Sequence, residues 1–192
     1  LRVPGFYDGN HSWRLRVSPP LVGEWTFTTY SSLPKLAGKS GTIRATQNSN
    51  PNELGPIVLN EDNPQHFYYA DGTPYFVLAF EIDWLFALDA QNPDGIPKTE
   101  SIVSTMTEHG FNQAVMNVYA FDVSWGKDPN LAPEHEFGSP VLFPFGGSNE
   151  KPDYSTLNVD FFQHFDRVMD ELNANGIVSH LMIYVWNKLV NW

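Results

Sequence analysis

Residues 158–186, NVDFFQHFDRVMDELNANGIVSHLMIYVW, decide the fold class of this 192-residue chain. Apolar side chains recur there at three- and four-residue spacing over 159–175, which predicts an amphipathic helix. Asn158 precedes this helix as a predicted N-terminal cap, and Gly176 follows it as a stop. The apolar run 177–186 comes next and is typical of a strand covered on both faces. A helix that leads directly into a buried strand indicates a β/α unit of a parallel sheet.

Two further apolar runs upstream predict two more buried strands. They cover 75–80 and 111–121, and a helix with Thr99 as its cap and Gly110 as its stop is predicted between them. Residues 122–157 are predicted as a long loop. A doubly wound sheet and a (β/α)₈ barrel both fit three buried strands that alternate with two helices.

The barrel is favoured because no glycine-rich phosphate-binding motif follows any of these strands. A TIM-type barrel takes about 250 residues. The predicted fold of residues 57–192 is therefore α/β, an incomplete barrel made of its first three β/α units. Residues 48–56, rich in Asn, Pro and Gly, are predicted to be a linker.

The N-terminal segment 1–47 has a different pattern. Apolar and polar residues alternate around Trp13 and around Trp25, and a third short strand is predicted over 42–46. Strands about a dozen residues apart suggest a β-sandwich. Because three strands cannot close a sandwich, and because the chain does not begin with Met, we expect this to be an internal fragment of a longer protein.

Composition excludes several classes of function. The 22 acidic and 11 basic residues give a net charge of −11, which disfavours nucleic-acid partners and anionic membrane surfaces. The chain has no cysteine, so disulfides, thiolate metal sites and thiol nucleophiles are excluded. No apolar run reaches the ~20 residues of a membrane-spanning helix. We expect no cofactor, no metal and no membrane insertion.

Polar and aromatic residues at the carboxyl ends of the predicted strands are the candidate site, because chemistry in barrels occurs there. Glu81 and Asp83 point to one side of an extended chain, roughly 6–7 Å apart, which lies near the spacing of paired acids in glycoside hydrolysis. They are the candidate catalytic carboxylates, although a capping or ion-pairing role is also open. The candidate substrate-binding residues are Glu81, Asp83, Trp84, Asn117, Tyr119, Trp125, Tyr184, Trp186 and Asn187.

Two histidines are interpreted more conservatively. His135 stands between Glu134 and Glu136, but no second histidine at helical spacing supports a metal site. His180 lies within an apolar strand and is predicted to be a core residue with its hydrogen bonds satisfied.

Three stretches together resemble a known family. They are FYDG with GEWTF near the N-terminus, FYYADGTPYF over 67–76, and FPFGG over 143–147 with GI and LMIYVWNK over 176–188. They resemble secreted bacterial glycoside hydrolases in which an immunoglobulin-like domain of unknown function precedes an apiosidase-like (β/α)₈ barrel. Some members are described as collagen-binding. Residues 1–47 would then be the end of the immunoglobulin-like sandwich.

The resemblance implies an exported enzyme, either secreted, periplasmic or on the cell surface. It would hydrolyse O-glycosidic bonds of plant or algal polysaccharide with two carboxylates. In such barrels these acids usually follow the fourth and seventh strands, outside this fragment, so the isolated piece is expected to be inactive. Many relatives have Gly-Asp-Thr-x-Trp after the first strand, where this chain has Ala79-Phe80-Glu81-Ile82-Asp83-Trp84.

Two alternatives remain open from the sequence. One is a non-catalytic carbohydrate- or matrix-binding protein on a degenerate barrel. The other is a different barrel hydrolase, with or without a dependence on a metal.

Overall fold

The computed structural model describes residues 1–51, 53–119, 128–133, 140–148, 150–183 and 185. The chain divides into two compact units, Leu1–Glu53 and Leu54–Trp192. The division falls inside the segment 48–56, which the sequence predicts to be a linker. Each unit is described by itself below.

The first unit consists of two separate antiparallel hairpins. β1 (Gly5–Tyr7) pairs with β2 (Trp13–Leu15), and β3 (Gly23–Thr28) pairs with β4 (Ser40–Ala45). The predicted strands around Trp13 and Trp25 and over 42–46 are confirmed. The two hairpins share no sheet in the described residues, and none of the described residues of this unit is buried. The immunoglobulin-like sandwich therefore stays a prediction.

The second unit opens with a small antiparallel sheet. Its strands are β5 (Ile57–Asn60), β6 (Asn63–Tyr69) and β7 (Pro74–Tyr75), in that order. Pro74 pairs with Tyr68, and Tyr75 pairs with Phe67.

The unit continues with alternating strands and helices. In chain order these are β8 (Ala79–Glu81), a 3₁₀ turn (Leu85–Ala87), α1 (Pro97–Glu108), β9 (Gln113–Asn117), β10 (Phe145–Gly147), β11 (Pro152–Leu157), α2 (Val159–Ala174) and β12 (Val178–Met182). β8, β9 and β12 form a parallel sheet with β9 in the middle. The parallel α/β architecture predicted from the sequence is therefore confirmed. The described strands do not form a closed sheet, so the barrel is not established.

The single buried strand predicted over 75–80 is wrong. Tyr75 belongs to the antiparallel sheet, while Ala79 and Phe80 belong to the parallel one. The chain crosses between them over residues 76–78, and the Phe76 side chain is 82% exposed. A continuous apolar run gives no sign of such a break, because both halves favour extended backbone.

The helix boundaries follow local chemistry. Pro97 begins α1, a position where its fixed φ and missing N–H are tolerated, so Thr99 lies inside the helix and is not its cap. Asn158 caps α2 as predicted, because its Oδ1 accepts from the backbone N–H of Asp160 at 3.2 Å. Gly110 and Gly176 have φ of +76° and +68°, which confirms them as stop residues.

The core of this unit lies between the helices and one face of the parallel sheet. Met116 on β9 packs in a cluster with Val103 on α1, Leu172 on α2 and Leu85 in the 3₁₀ turn, and all four are fully buried. Neither described helix has the length and continuous apolar character that a bilayer span requires.

The long loop predicted over 122–157 contains the antiparallel hairpin β10–β11. Gly147 ends β10 at the turn that leads to β11. Gly147 has φ of +81°, and a side chain there would meet the carbonyl oxygen of Lys151 at 2.5 Å. Only glycine fits this turn without distortion.

Candidate functional site

The two faces of the parallel sheet differ in character. Ala114 and Met116 point toward the helices and are fully buried. Because side chains alternate along a strand, Gln113, Val115 and Asn117 lie on the opposite face.

This opposite face carries polar residues from all three strands. Glu81 on β8 and His180 on β12 are both in register with Val115 of β9. Since parallel strands in register point equivalent side chains the same way, these residues share the face with Gln113 and Asn117.

Asn117 is the most unusual residue of this face. It ends β9, and only 1% of its surface is exposed. Its side-chain Oδ1 and Nδ2 make no hydrogen bond to any described residue. A buried polar group without a partner costs about 1–3 kcal/mol. Such a group in a native protein needs an explanation, and a ligand that supplies the missing partners is one.

Asp83 lies beside Asn117. The backbone N–H of Asn117 donates to the carbonyl of Asp83 at 3.3 Å, and the Oδ1 atom of Asp83 is buried. Glu81 ends β8, and its side chain is exposed. The structure thus brings Asp83 and Asn117 together at the carboxyl edge of the sheet. Whether Glu81 and Asp83 act as an acid pair stays a prediction.

Two predicted aromatic residues flank this edge. Trp84 is half-buried and precedes the 3₁₀ turn. Tyr119, two residues beyond β9, is half-buried, and its ring centroid lies 6.0 Å from that of Phe145 and 6.3 Å from that of Phe161. The other predicted residues lie outside the described part of the chain: Trp125, Tyr184, Trp186 and Asn187.

No metal centre is visible in the described part of the chain. Within it, no group of three or more His, Asp or Glu side chains is arranged to hold an ion. The segment with His135, the candidate ligand considered from sequence, is outside the described residues.

Sequence reasoning missed a series of hydrogen bonds on this opposite face of the sheet. The hydroxyl of Tyr75 donates to Oε1 of Gln113 at 2.9 Å, and Nε2 of Gln113 lies 3.2 Å from Nδ1 of His180. Burial, followed by the nearby Tyr69, raises the pKa of Tyr75 to about 12, so its hydroxyl remains a donor. An amide nitrogen only donates, so in this arrangement Nδ1 of His180 accepts and its Nε2 carries the proton.

His180 is therefore hydrogen-bonded, as predicted, but it is not a core residue of the described structure. Its side chain is exposed there. The protonated Nε2 is available as a donor on the same face as Glu81. No sequence signal identifies Gln113 as the partner of His180, or Tyr75 as the partner of Gln113, because these pairs are 67 and 38 positions apart in the chain.

A buried histidine supports the segment that follows β8. His164 on α2 is 1% exposed, and its Nδ1 lies 3.3 Å from Nη2 of Arg167. Burial and then the Arg167 charge lower the pKa of His164, and the carbonyls of Leu88 and Phe86 oppose this only in part. A neutral imidazole is therefore packed between α2 and the residues that follow Asp83.

The same segment is held from the other side by Asp89. Its Oδ2 accepts from the backbone N–H of Thr99 at 2.9 Å and from the Thr99 hydroxyl at 3.2 Å. Thr99 is fully buried in α1. The connection between β8 and α1 is thus fixed at both helices, which positions Asp83 and Trp84 at its start.

Comparison with known families identifies the chain. Residues 61–192 match the family described as apiosidase-like, catalytic domain. The chain belongs to the apiosidase-like family. Residues 1–32 of the apiosidase-like chain match a second family, described as a domain of unknown function, DUF5060. The resemblance drawn from the sequence motifs is confirmed in both parts. No curated protein matches the chain.

Three solved structures that are similar to the apiosidase-like chain are described as glycoside hydrolases. A candidate glycoside hydrolase from Bacteroides vulgatus ATCC 8482 is 28% identical with a TM-score of 0.71, covering 93% of this chain and 33% of its own. A protein described as a glycoside hydrolase is 13% identical with a TM-score of 0.43, covering 69% and 26%. A family 5 glycoside hydrolase from Bacteroides vulgatus ATCC 8482 is 14% identical with a TM-score of 0.42, covering 69% and 25%.

The chain therefore spans about a third of the length of the first of these structures. Family membership and the first match together support a glycoside hydrolase-like domain.

Proposed function

We propose that the apiosidase-like chain is the part of a glycoside hydrolase that binds saccharide at the carboxyl edge of its parallel sheet. The observation that carries this is Asn117, buried with both side-chain polar atoms lacking a described partner. A sugar hydroxyl both donates and accepts hydrogen bonds, as does a side-chain amide. A bound sugar would therefore satisfy the Nδ2 and Oδ1 atoms of Asn117 together.

Asp83 and Glu81 are proposed to contact the same sugar as hydrogen-bond acceptors. Asp83 is joined to Asn117 through the backbone, and Glu81 is exposed on the adjacent strand. Because an ionised carboxylate only accepts, it complements the donor groups of Asn117 and His180 on this face.

Hydrolysis is proposed to use two carboxylates supplied by parts of the whole protein outside this chain. One acid would protonate the glycosidic oxygen, and the other carboxylate would stabilise or attack the oxocarbenium-like anomeric carbon. The strand order β8, β9, β12 follows the sequence, which is the order of neighbouring strands in a barrel, and we propose that further strands close one. We further propose an exported protein with plant or algal polysaccharide as substrate.

The test is Asn117→Ala in the full-length protein, assayed by reducing-sugar release from a panel of plant and algal polysaccharides. We expect kcat/KM to fall about 10- to 100-fold, the equivalent of the ~1–3 kcal/mol of a hydrogen-bonded buried polar group. Asn173→Ala is the matched control, because Asn173 is exposed on α2. It should leave kcat/KM unchanged.

Stability separates a binding role from a structural one. Replacing a structural asparagine lowers the thermal midpoint, whereas removing a buried group without partners leaves it unchanged or raises it. Full activity of Asn117→Ala would contradict the proposed role of Asn117. Saccharide binding by the wild-type protein without hydrolysis would instead favour a carbohydrate-binding protein.

A further inference from the structure

We propose that Tyr154, on the β10–β11 hairpin, is an aromatic subsite that stacks on a sugar ring of the polysaccharide next to the Asn117 edge. This inference rests on the proposed function and adds a binding residue to it. Tyr154 was not among the residues predicted from the sequence.

The hairpin lies at the same edge of the sheet as Asn117. It is part of the connection from the carboxyl end of β9 to the start of α2. Its base is closed where the backbone N–H of Asn158, the cap of α2, donates to the carbonyl of Pro144 at 2.9 Å. A β/α connection that leaves from the carboxyl end of a strand is the part of such a fold that meets ligands.

A series of aromatic rings links Tyr154 to the core. The Tyr154 ring centroid is 5.2 Å from that of Phe145 in an edge-to-face arrangement, and Phe145 is 6.0 Å from Tyr119. Tyr119 in turn contacts Phe161, which is buried on α2. Tyr154 is 56% exposed. Its ring thus contacts an aromatic neighbour, and more than half of the surface of the residue is exposed.

The backbone that presents Tyr154 is fixed by local hydrogen bonds. Phe145 pairs with Leu157, whereas the next residue, Gly146, pairs with Asp153, so residues 154–156 bulge out of the ladder. The carboxylate of Asp153 accepts from the backbone N–H of Ser155 at 3.0 Å and from its hydroxyl at 2.6 Å. These bonds lower the pKa of Asp153, so it stays ionised and maintains the bulge.

This combination suits a saccharide. Sugar rings present faces of apolar C–H bonds, and an exposed tyrosine offers an apolar face with a polar tip. Holding the ring in place before binding reduces the entropy lost when the ligand arrives. The net charge of −11 disfavours nucleic acid, the other common ligand of exposed aromatic residues.

The experiment compares Tyr154→Ala, Tyr154→Phe and Tyr154→Trp in the full-length protein. Initial rates are measured on cello-, xylo-, arabino- and galacturono-oligosaccharides of two to six units. We expect Tyr154→Ala to raise KM about 5- to 20-fold for the longer members of the series that is hydrolysed, with kcat changed less than twofold. That split indicates lost binding that is equal in the ground and transition states. The Phe and Trp variants should keep KM within threefold of wild type.

Tyr30→Ala is the matched control, because Tyr30 is 91% exposed in the other unit of the chain. Thermal midpoints of all variants are measured alongside, and those of Tyr154→Phe and Tyr154→Trp keep the comparison valid if the alanine variant is less stable. A wild-type KM for Tyr154→Ala across a hydrolysed series would overturn the subsite alone. Failure of the wild-type protein to hydrolyse or bind any saccharide would overturn the proposed function, and the subsite with it.

Discussion

His164 gives a prediction about pH at the scale of single residues. Burial and Arg167 lower the pKa of His164 in the folded protein, and the opposing Asp89 charge and the carbonyls of the neighbouring loop do not offset this. In the unfolded chain a histidine titrates near pH 6.5. As the pH falls through 6.5, the unfolded state therefore takes up a proton that the folded state refuses, and the free energy of unfolding decreases.

We expect the thermal midpoint of the full-length protein to decrease when the pH is lowered from 7.5 to 5.5. We expect this decrease to be smaller in His164→Gln. Differential scanning calorimetry at the two pH values measures both. His66→Gln, which changes an exposed histidine on β6, should show the same fall as wild type. An identical pH dependence in wild type and His164→Gln would show that His164 does not contribute.

Some residues of the candidate site could be predicted from the sequence, and others could not. Asp83 and Asn117 were predicted because their position after apolar runs places them at a strand end. Gln113 and Tyr154 were not, because their significance depends on partners brought near only by the fold. In the sequence, nothing distinguishes Gln113 from other polar strand residues. Its contact with His180 is created only by the fold.

At the scale of elements, Asn112 joins the antiparallel and parallel sheets. Its Oδ1 accepts from the backbone N–H of Leu78 at 2.9 Å, and its Nδ2 donates to the carbonyl of Phe76 at 2.6 Å. Its own backbone N–H donates to the carbonyl of Leu78 at 3.0 Å. At the break between β7 and β8, the Asn112 side chain thus makes the backbone hydrogen bonds that a neighbouring strand would otherwise make.

We expect Asn112→Ala to lower the free energy of unfolding by about 1–3 kcal/mol, since two backbone groups lose their partners. Urea denaturation followed by tryptophan fluorescence measures it. Asn60→Ala removes one local bond, from the N–H of Asp62, and should cost less than about 1 kcal/mol. Equal losses in the two variants would mean that Asn112 is one more turn residue.

Elements with a strong period were predicted well, and short extended elements were not. The helix α2 was located within one residue because its apolar stripe, its Asn158 cap and its Gly176 stop agree. The run 75–80 carries no period that separates one strand from two. The hairpin β10–β11 was missed because its strands are short and bulged, so the alternation that marks a strand is interrupted.

At the scale of the whole molecule, the boundary between the two units gives a further prediction. Glu53 itself is exposed, and its backbone hydrogen bonds are local: its N–H donates to the carbonyl of Asn50 at 3.1 Å, and its carbonyl accepts from Nδ2 of Asn48 at 2.7 Å. Proteases require an extended segment free of wider pairing. We expect a glutamyl endopeptidase to cleave after Glu53 at least ten times faster than after Glu108 or Glu171.

Mass spectrometry of a quenched digestion of the full-length protein measures these rates. Glu108 ends α1 and Glu171 lies within α2, so both require helix opening before cleavage. Glu53→Gln should abolish the cut at this point and leave the others unchanged. Cleavage at the helical positions at a rate equal to that at Glu53 would contradict a division of the chain there.

The sequence predicts three parallel strands, and these alone do not distinguish between two whole-molecule architectures. Three parallel strands in sequential order occur at one side of a barrel and also in one half of a doubly wound sheet. Family membership, together with the likeness to a longer solved structure, supports a glycoside hydrolase-like domain, and the barrel stays a proposal. The order of the strands alone would leave both open.

The hydrogen bond between Asn158 and Pro144 has a consequence for the evolution of this fold. Both ends of the hairpin meet at that one point, directly before α2. Insertions or deletions between these two residues change the outer rim and leave the strand and the helix in place. Related proteins can therefore differ in the length and sequence of this hairpin while the parallel sheet and α2 are inherited unchanged.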